Sequence, residues 1–174
     1  MPRTATSLLA TLVLLTGCAT TQRLSAAADV HTLLVAIRDD DHAAFDAHVD
    51  RRALEAEIQA VLVQRARDAR LSDEVTGLGL LLSGPLAHAA GRLLIEPEVF
   101  RAAADYYGYR PGAPLPGLLT LAAALTPVAD GRMCARRGTG GPCLMTFAEE
   151  AGTWRLVAFD ADLLTAGAGR GSRS

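Results

Sequence analysis

Apolar residues recur with helical spacing in the segment that follows residue 25. One helix face is formed by residues at i, i+3, i+4 and i+7, namely Val30, Leu33, Leu34 and Ile37. Ser25 is the predicted N-cap of this helix, and the acidic triplet at 39–41 predicts a polar turn after it. Because no glycine and distal glutamate follow with calcium-loop spacing, a solvated turn is favoured over a cation site.

Four further helices are predicted from caps and periodicity. A short helix carrying Phe45 precedes Asp50, which is the predicted cap of a long helix ending near Arg70. The segment Glu96-Pro97-Glu98 predicts a helix start, since proline suits the first helical position. Residues 118–125 include three alanines, which favour a short helix over a strand.

Residues 75–95 are apolar on all sides. Four glycines, Pro85 and Arg92 interrupt this segment, so we predict two short core helices that meet at Gly84-Pro85. The length of the segment nearly suits a membrane span, which stays open as the alternative.

From residue 128 the apolar period changes to that of strands. Three segments have this pattern: 131–136, 143–149 and 153–159. Their predicted packed face consists of Met145, Phe147, Trp154 and Leu156. The predicted fold class is therefore α+β, with about five N-terminal helices followed by a three-stranded antiparallel meander.

The glycine-rich turn at 137–142 separates the first two predicted strands. It could hold an anion beside Arg136 and Arg137, but a plain hairpin loop is favoured because no helix N-terminus follows it.

Composition limits the classes of partner. The chain has 174 residues, of which 50% are hydrophobic, so one domain with a sizeable core is expected. Its formal net charge of −2 is too balanced for the basic surface that nucleic acids need, so no nucleic-acid partner is expected.

The amino terminus carries an export signal. Arg3 precedes an apolar run at 7–16, which has the length of a signal-peptide core and is too short to span a bilayer. The next residues, Leu15-Thr16-Gly17-Cys18, resemble the lipobox of bacterial lipoproteins. The alternative is an ordinary secretory signal that happens to contain a cysteine.

The lipobox resemblance implies how the chain is processed and where it resides. It implies cleavage before Cys18, a diacylglycerol group on its thiol and a further acyl chain such as palmitate. Two or more chains give stable membrane anchoring. Ala19 resembles the residue found at that position in outer-membrane lipoproteins, which face the periplasm.

These features divide the chain into four parts. They are a lipoprotein signal peptide at 1–17, a lipidated tether at 18–25, a single domain at 26–165 and a flexible tail at 166–174.

Cys134 and Cys143 are predicted to form a disulfide. The chain has three cysteines, and lipidation of Cys18 leaves an even pair. Export places that pair in an oxidising compartment, and the two residues lie near the facing ends of adjacent predicted strands. The alternative is two unpaired core cysteines. A metal site is not expected there, because two ligands without a nearby histidine are too few to hold a metal ion.

A set of short motifs is spread over most of residues 29–160. They are Ala36-Ile37-Arg38, Asp41, Phe45, Val49-Asp50, Gly79-Leu80, Gly84-Pro85-Leu86, Glu96-Pro97-Glu98 and Trp154-Arg155-Leu156. With this set, the mature part resembles a domain-of-unknown-function family of small bacterial envelope proteins. The resemblance implies an architecture and assigns no activity.

The motifs of common enzyme classes are missing from the sequence. It contains no G-x-S-x-G nucleophile elbow, no H-E-x-x-H zinc motif, no C-x-x-C motif and no phosphate-binding loop. No catalytic residue, metal or cofactor is therefore expected. His42 and Asp46 are four residues apart on one helix, which predicts a surface pair. The first hypothesis is a non-enzymatic interaction or envelope-support module, with an envelope protein as partner. The alternative is a binder of an apolar ligand, such as lipid, in a pocket lined by residues 75–95.

Overall fold

Helices form the N-terminal part of the fold, and an antiparallel sheet forms the C-terminal part. The computed structural model describes residues 3–68, 94–106, 110, 112–136, 138 and 140–160. The helices are α1 (Arg3–Asp39), α2 (His42–Ala47), α3 (Arg51–Asp68), α4 (Pro97–Tyr106) and α5 (Leu118–Ala124). The strands are β1 (Leu125–Pro127), β2 (Met133–Arg136), β3 (Cys143–Glu150) and β4 (Thr153–Phe159). The predicted α+β class is confirmed.

Helix α1 is longer than the sequence predicts. It passes through Ser25, so the prediction of an N-cap at that residue is wrong. No glycine or proline lies between Cys18 and Asp39, and three consecutive alanines follow Ser25, so nothing in this stretch interrupts helical hydrogen bonding.

The turn after α1 has the predicted polar character. Asp40 adopts a positive φ of 61°, and the Asp41 N–H donates to the Ala36 carbonyl at 2.9 Å. The Asp41 carboxylate then accepts from the Ala44 N–H at 3.0 Å and caps α2.

The starts of α3 and α4 also agree with the sequence. The Asp50 carboxylate accepts from the Ala53 N–H at 3.0 Å, which is the expected cap of α3. Helix α4 begins at Pro97 as predicted, and the Glu96 carbonyl accepts from the Val99 N–H at 3.0 Å.

The sheet has four strands in the order β1-β2-β3-β4, so the prediction of three strands is one strand short. The missing strand is β1, in which Leu125 lies opposite Ala135 and Pro127 lies opposite Met133. Strand β1 has only three residues and ends in proline, which is tolerated at a sheet edge. A segment this short has no alternation that a sequence pattern could reveal.

One face of the sheet packs against the helices. Phe147, Trp154 and Leu156 are buried there as predicted, and Met145 is partly buried against them. The buried hydrophobic residues of this core are Ala26, Ala27, Val30, Leu33, Ala36, Phe45, Val49, Leu54, Ile58, Ile95, Leu125, Met133, Phe147, Trp154 and Leu156. The predicted apolar face of α1 therefore points into the core, and Leu54 and Ile58 of α3 are buried there too.

The outer edge of β4 is covered by the connection between α2 and α3. Val49 forms a parallel bridge with Leu156. The Leu156 N–H donates to the His48 carbonyl at 2.9 Å, and the Asp50 N–H donates to the Leu156 carbonyl at 3.0 Å. These bonds occupy backbone groups that an exposed edge strand would offer to another chain.

Two predictions fall on parts of the chain outside the described residues. The helix pair expected within 75–95, with its membrane-span alternative, lies there apart from residues 94 and 95, and the tail at 166–174 lies there entirely. Within the described residues, no helix combines the length and apolarity that crossing a membrane requires.

Candidate functional site

Cys18, the predicted lipidation site, lies within α1. From residue 20 onwards, the first buried residue is Ala26, eight positions after Cys18 on the same helix. A helical rise of 1.5 Å per residue places the two residues roughly 12 Å apart along the axis. The predicted tether is therefore helical and continues directly into the helix that packs against the sheet.

Cys134 and Cys143 are joined by a disulfide, which confirms the predicted pairing. Their Cα atoms lie 5.6 Å apart, within the usual range for such bonds. The cysteines lie on adjacent strands, as predicted, but not directly opposite each other: Cys134 lies opposite Thr146, and Cys143 lies opposite Arg136. A register shift after Ala135 creates this diagonal arrangement.

A shallow groove lies between the C-terminal end of α5 and the hairpin that joins β2 to β3. Its volume is about 370 Å³, and its lining residues are Ala123, Ala124, Thr126, Arg136, Gly138 and Gly140. Arg136 Nη1 donates to the Gly141 carbonyl at 2.6 Å, which fixes the guanidinium against the hairpin. The antiparallel pairing of β2 with β3 confirms the hairpin expected at the glycine-rich turn.

Arg51 connects three elements through one guanidinium. Its Nη2 lies 2.6 Å from an Asp46 carboxylate oxygen, and its Nη1 donates to the Ile95 carbonyl at 2.6 Å. The same Nη1 lies 3.4 Å from Glu96 Oε1, and the charged group lies 5.8 Å from the centre of the Phe45 ring. These contacts hold the start of α4 against α2 and α3.

The predicted surface pair between His42 and Asp46 is wrong. His42 Nδ1 lies 3.2 Å from Glu96 Oε2, while the Asp46 carboxylate is bound by Arg51. Helical spacing makes His42 and Asp46 neighbours, but Glu96 and Arg51 approach from other elements and take their place.

Within the described residues, a group of three side chains has the chemistry of metal ligands: Asp40, His42 and Glu98. One ligand atom from each lies within 4.8 Å of the others, and all three residues are exposed. Arg101 Nη2 lies 3.1 Å from Asp40 Oδ1, so this carboxylate already has a cationic partner. The arrangement joins α4 to the turn after α1.

Asp29 links α1 to β4, a contact that the sequence analysis missed. Its Oδ2 accepts a hydrogen bond from the backbone N–H of Trp154 at 2.8 Å, and its Oδ1 lies 3.6 Å from His48 Nε2. His48 Nδ1 lies 2.8 Å from the Ala44 carbonyl. Asp29 and Trp154 are 125 positions apart, so no local pattern could have revealed the contact.

Among the described residues, a carboxyl group with a shifted pKa lies at the end of α1. Arg38 Nε and Nη2 donate to the two carboxylate oxygens of Asp39 at 2.6 and 2.8 Å. These hydrogen bonds, with the nearby positive charge, hold the pKa of Asp39 below its usual value. Asp39 is exposed, so its carboxylate takes part in a surface ion pair and not in a buried site.

Comparison with known proteins supplies a family and no activity. The model of the family DUF2939, described as a protein of unknown function, matches residues 12–103, which is more than half of the chain. No curated protein and no solved structure matches the chain. The match contains Cys18, helices α2 and α3 and the start of α4, and it ends before the sheet. The chain belongs to the DUF2939 family of proteins of unknown function.

Proposed function

We propose that this protein is a lipid-anchored envelope protein, cleaved before Cys18 and held by acyl chains on that residue at the periplasmic face of the outer membrane. The observation that carries the proposal is the distribution of the three cysteines. Cys134 and Cys143 are joined to each other, so Cys18 remains for lipidation at the end of the apolar run. A disulfide in a chain of this size also supports export, since such bonds persist in oxidising compartments.

The domain behind the anchor acts as a non-enzymatic interaction or envelope-support module. Its Arg51 and Arg101 ion pairs join helices to one another, which is a structural use of charge. Asp40, His42 and Glu98, the group with metal-ligand chemistry, are all exposed, so water reaches their side chains. These features support a module whose function is contact with other envelope components.

Metabolic labelling with an alkyne fatty acid tests the anchor. In a bacterium that processes lipoproteins, the wild-type chain should take up label and lose residues 1–17. Cys18→Ser should take up none and should accumulate as the uncleaved precursor. Cys143→Ser is the matched control, because it removes a thiol of the same chain and should leave labelling unchanged.

Label that persists in Cys18→Ser would show that the lipid is attached elsewhere or that the signal is of another kind. Membrane separation on a density gradient tests the location in the same cells. The wild-type chain should fractionate with the outer membrane, and Ala19→Asp should move it to the inner membrane. A labelled wild-type chain in the inner membrane would contradict the proposed location and leave the anchor intact.

A further inference from the structure

Three elements bring an imidazole and two carboxylates together at one point of the surface. Asp40 lies in the turn after α1, His42 is the first residue of α2, and Glu98 lies in the first turn of α4. One ligand atom from each lies within 4.8 Å of the others, and His42 Nε2 is 3.9 Å from Glu98 Oε1. Because Glu98 is distant from the other two residues in the chain, the fold and not a local motif creates this group.

The second ring nitrogen of His42 faces a carboxylate outside this group. His42 Nδ1 lies 3.2 Å from Glu96 Oε2, and Arg51 Nη1 lies 3.4 Å from the other carboxylate oxygen of Glu96. A carboxylate beside Nδ1 favours the tautomer with its proton on that nitrogen, which leaves the Nε2 lone pair for a metal ion. Histidines that bind metals almost always have such a partner on their other ring nitrogen, so the arrangement points to a ligand at Nε2.

Arg101 holds Asp40 in a comparable way. Its Nη2 lies 3.1 Å from Asp40 Oδ1, and its Nη1 donates to the Arg38 carbonyl at 3.5 Å. A carboxylate has two oxygens, so Asp40 can bind an ion through Oδ2 while Oδ1 stays with Arg101. Carboxylates that bind metals are themselves hydrogen-bonded, so the ion pair with Arg101 is compatible with a ligand role for Asp40.

We propose that Asp40, His42 and Glu98 bind one zinc ion, with water as the fourth ligand. Zinc takes nitrogen as well as oxygen ligands, whereas calcium and magnesium take oxygen ligands. The two carboxylates carry two negative charges, which a divalent cation neutralises. In a tetrahedral zinc site the ligand atoms lie roughly 3.4 Å apart, so these exposed side chains would have to draw together by at most about 1.4 Å.

The zinc ion would link α4 to the turn between α1 and α2. Arg51 and Arg101 already hold α4 against the same part of the fold, so the ion would add to an existing junction. Because it binds the folded chain, it should also stabilise that chain. The site needs no lipid on Cys18, so it stands independently of the proposed anchor.

Titration of the full chain with zinc chloride tests the site. The chain carries Cys18→Ser, which removes a thiol that could bind zinc, and the disulfide keeps Cys134 and Cys143 from doing so. Calorimetry should show saturable binding. In long-range proton–nitrogen NMR spectra of the histidine rings, the His42 resonances should move, with the larger shift at Nε2.

Variants on two helices separate loss of binding from loss of the fold. His42→Gln and Glu98→Gln should each weaken zinc binding about tenfold or more, since each removes a ligand, and Glu96→Gln should weaken it about tenfold through His42. His31→Gln is the matched control, because it removes a histidine outside the group and should leave the affinity unchanged. The fluorescence of Trp154 verifies that each variant is folded.

Four results would overturn the proposal. They are the absence of saturable zinc binding, unchanged affinity in His42→Gln or in Glu98→Gln, zinc-induced shifts at the rings of His31 or His48 in place of His42, and a loss of affinity in His31→Gln equal to that in His42→Gln. Calcium or magnesium chloride that bound more tightly than zinc chloride would overturn the assignment to zinc.

Discussion

Reduction of the Cys134–Cys143 bond should lower the free energy of unfolding by about 2.6 kcal/mol at 25 °C. The two residues are nine positions apart, so the bond closes a loop of roughly ten residues in the unfolded chain. The loop-closure model gives the stated value for that length. Cys134 is fully buried, and a free thiol is tolerated there as a small hydrophobic group, so the entropy of the unfolded chain is the main term.

Urea unfolding with and without reductant measures this difference. Trp154 is the single tryptophan and lies buried in β4, so its fluorescence reports loss of the sheet. A Cys18→Ser background leaves one pair of thiols. Free energies extrapolated to water should be compared and not midpoints, because the cross-link changes the surface exposed on unfolding and hence the slope.

The double variant Cys134→Ala/Cys143→Ala is the control, and reductant should leave its stability unchanged. A difference below about 1 kcal/mol between oxidised and reduced wild-type protein would refute the loop-closure reasoning. Two free thiols at these positions, found by mass spectrometry of unreduced and alkylated protein, would refute the bond itself.

Two polar contacts give further predictions. Asp29→Ala should lower the free energy of unfolding by about 1–3 kcal/mol, because it leaves the backbone N–H of Trp154 without its acceptor. Asp29→Asn keeps an acceptor oxygen and should restore most of the lost stability. Urea unfolding measures both, and an Ala variant as stable as wild type would contradict the role of the contact. Arg38→Gln should raise the pKa of Asp39 towards its usual value, because the hydrogen bonds that stabilise the carboxylate are lost. NMR titration of the carboxyl carbon follows this: as the pH falls, the Asp39 carboxylate should be protonated at a lower pH in the wild type than in the variant, and equal pKa values in both proteins would contradict the assignment.

Features that depend on a few neighbouring residues could be predicted from the sequence. The caps at Asp41 and Asp50 each join a side chain to a backbone N–H three residues away, so a short motif contains the whole interaction. Strands β2, β3 and β4 were found because each has enough residues to show alternation. Strand β1 was not, since three residues ending in Pro127 form a strand only through pairing with β2.

The partners of polar side chains could not be predicted, because distant elements supply them. Arg51 contacts the carbonyl of Ile95, which is 44 positions away. His42 meets Glu96 and not its helical neighbour Asp46 for the same reason. The groove at Arg136 needs both α5 and the hairpin, so the sequence could indicate its arginine and glycines but not its walls.

The helical continuity of α1 bears on how a lipid anchor would position the domain. Ala26 lies eight positions after Cys18, a distance of about 27 Å for an extended chain but of roughly 12 Å for a helix. Asp29 then fixes the same helix to β4 through the Trp154 backbone. With Cys18 acylated as we propose, the core would be held close to the bilayer by a stiff connection. Any partner of this domain would then have to meet it at the membrane surface, because a short helix gives it little reach into the surrounding space.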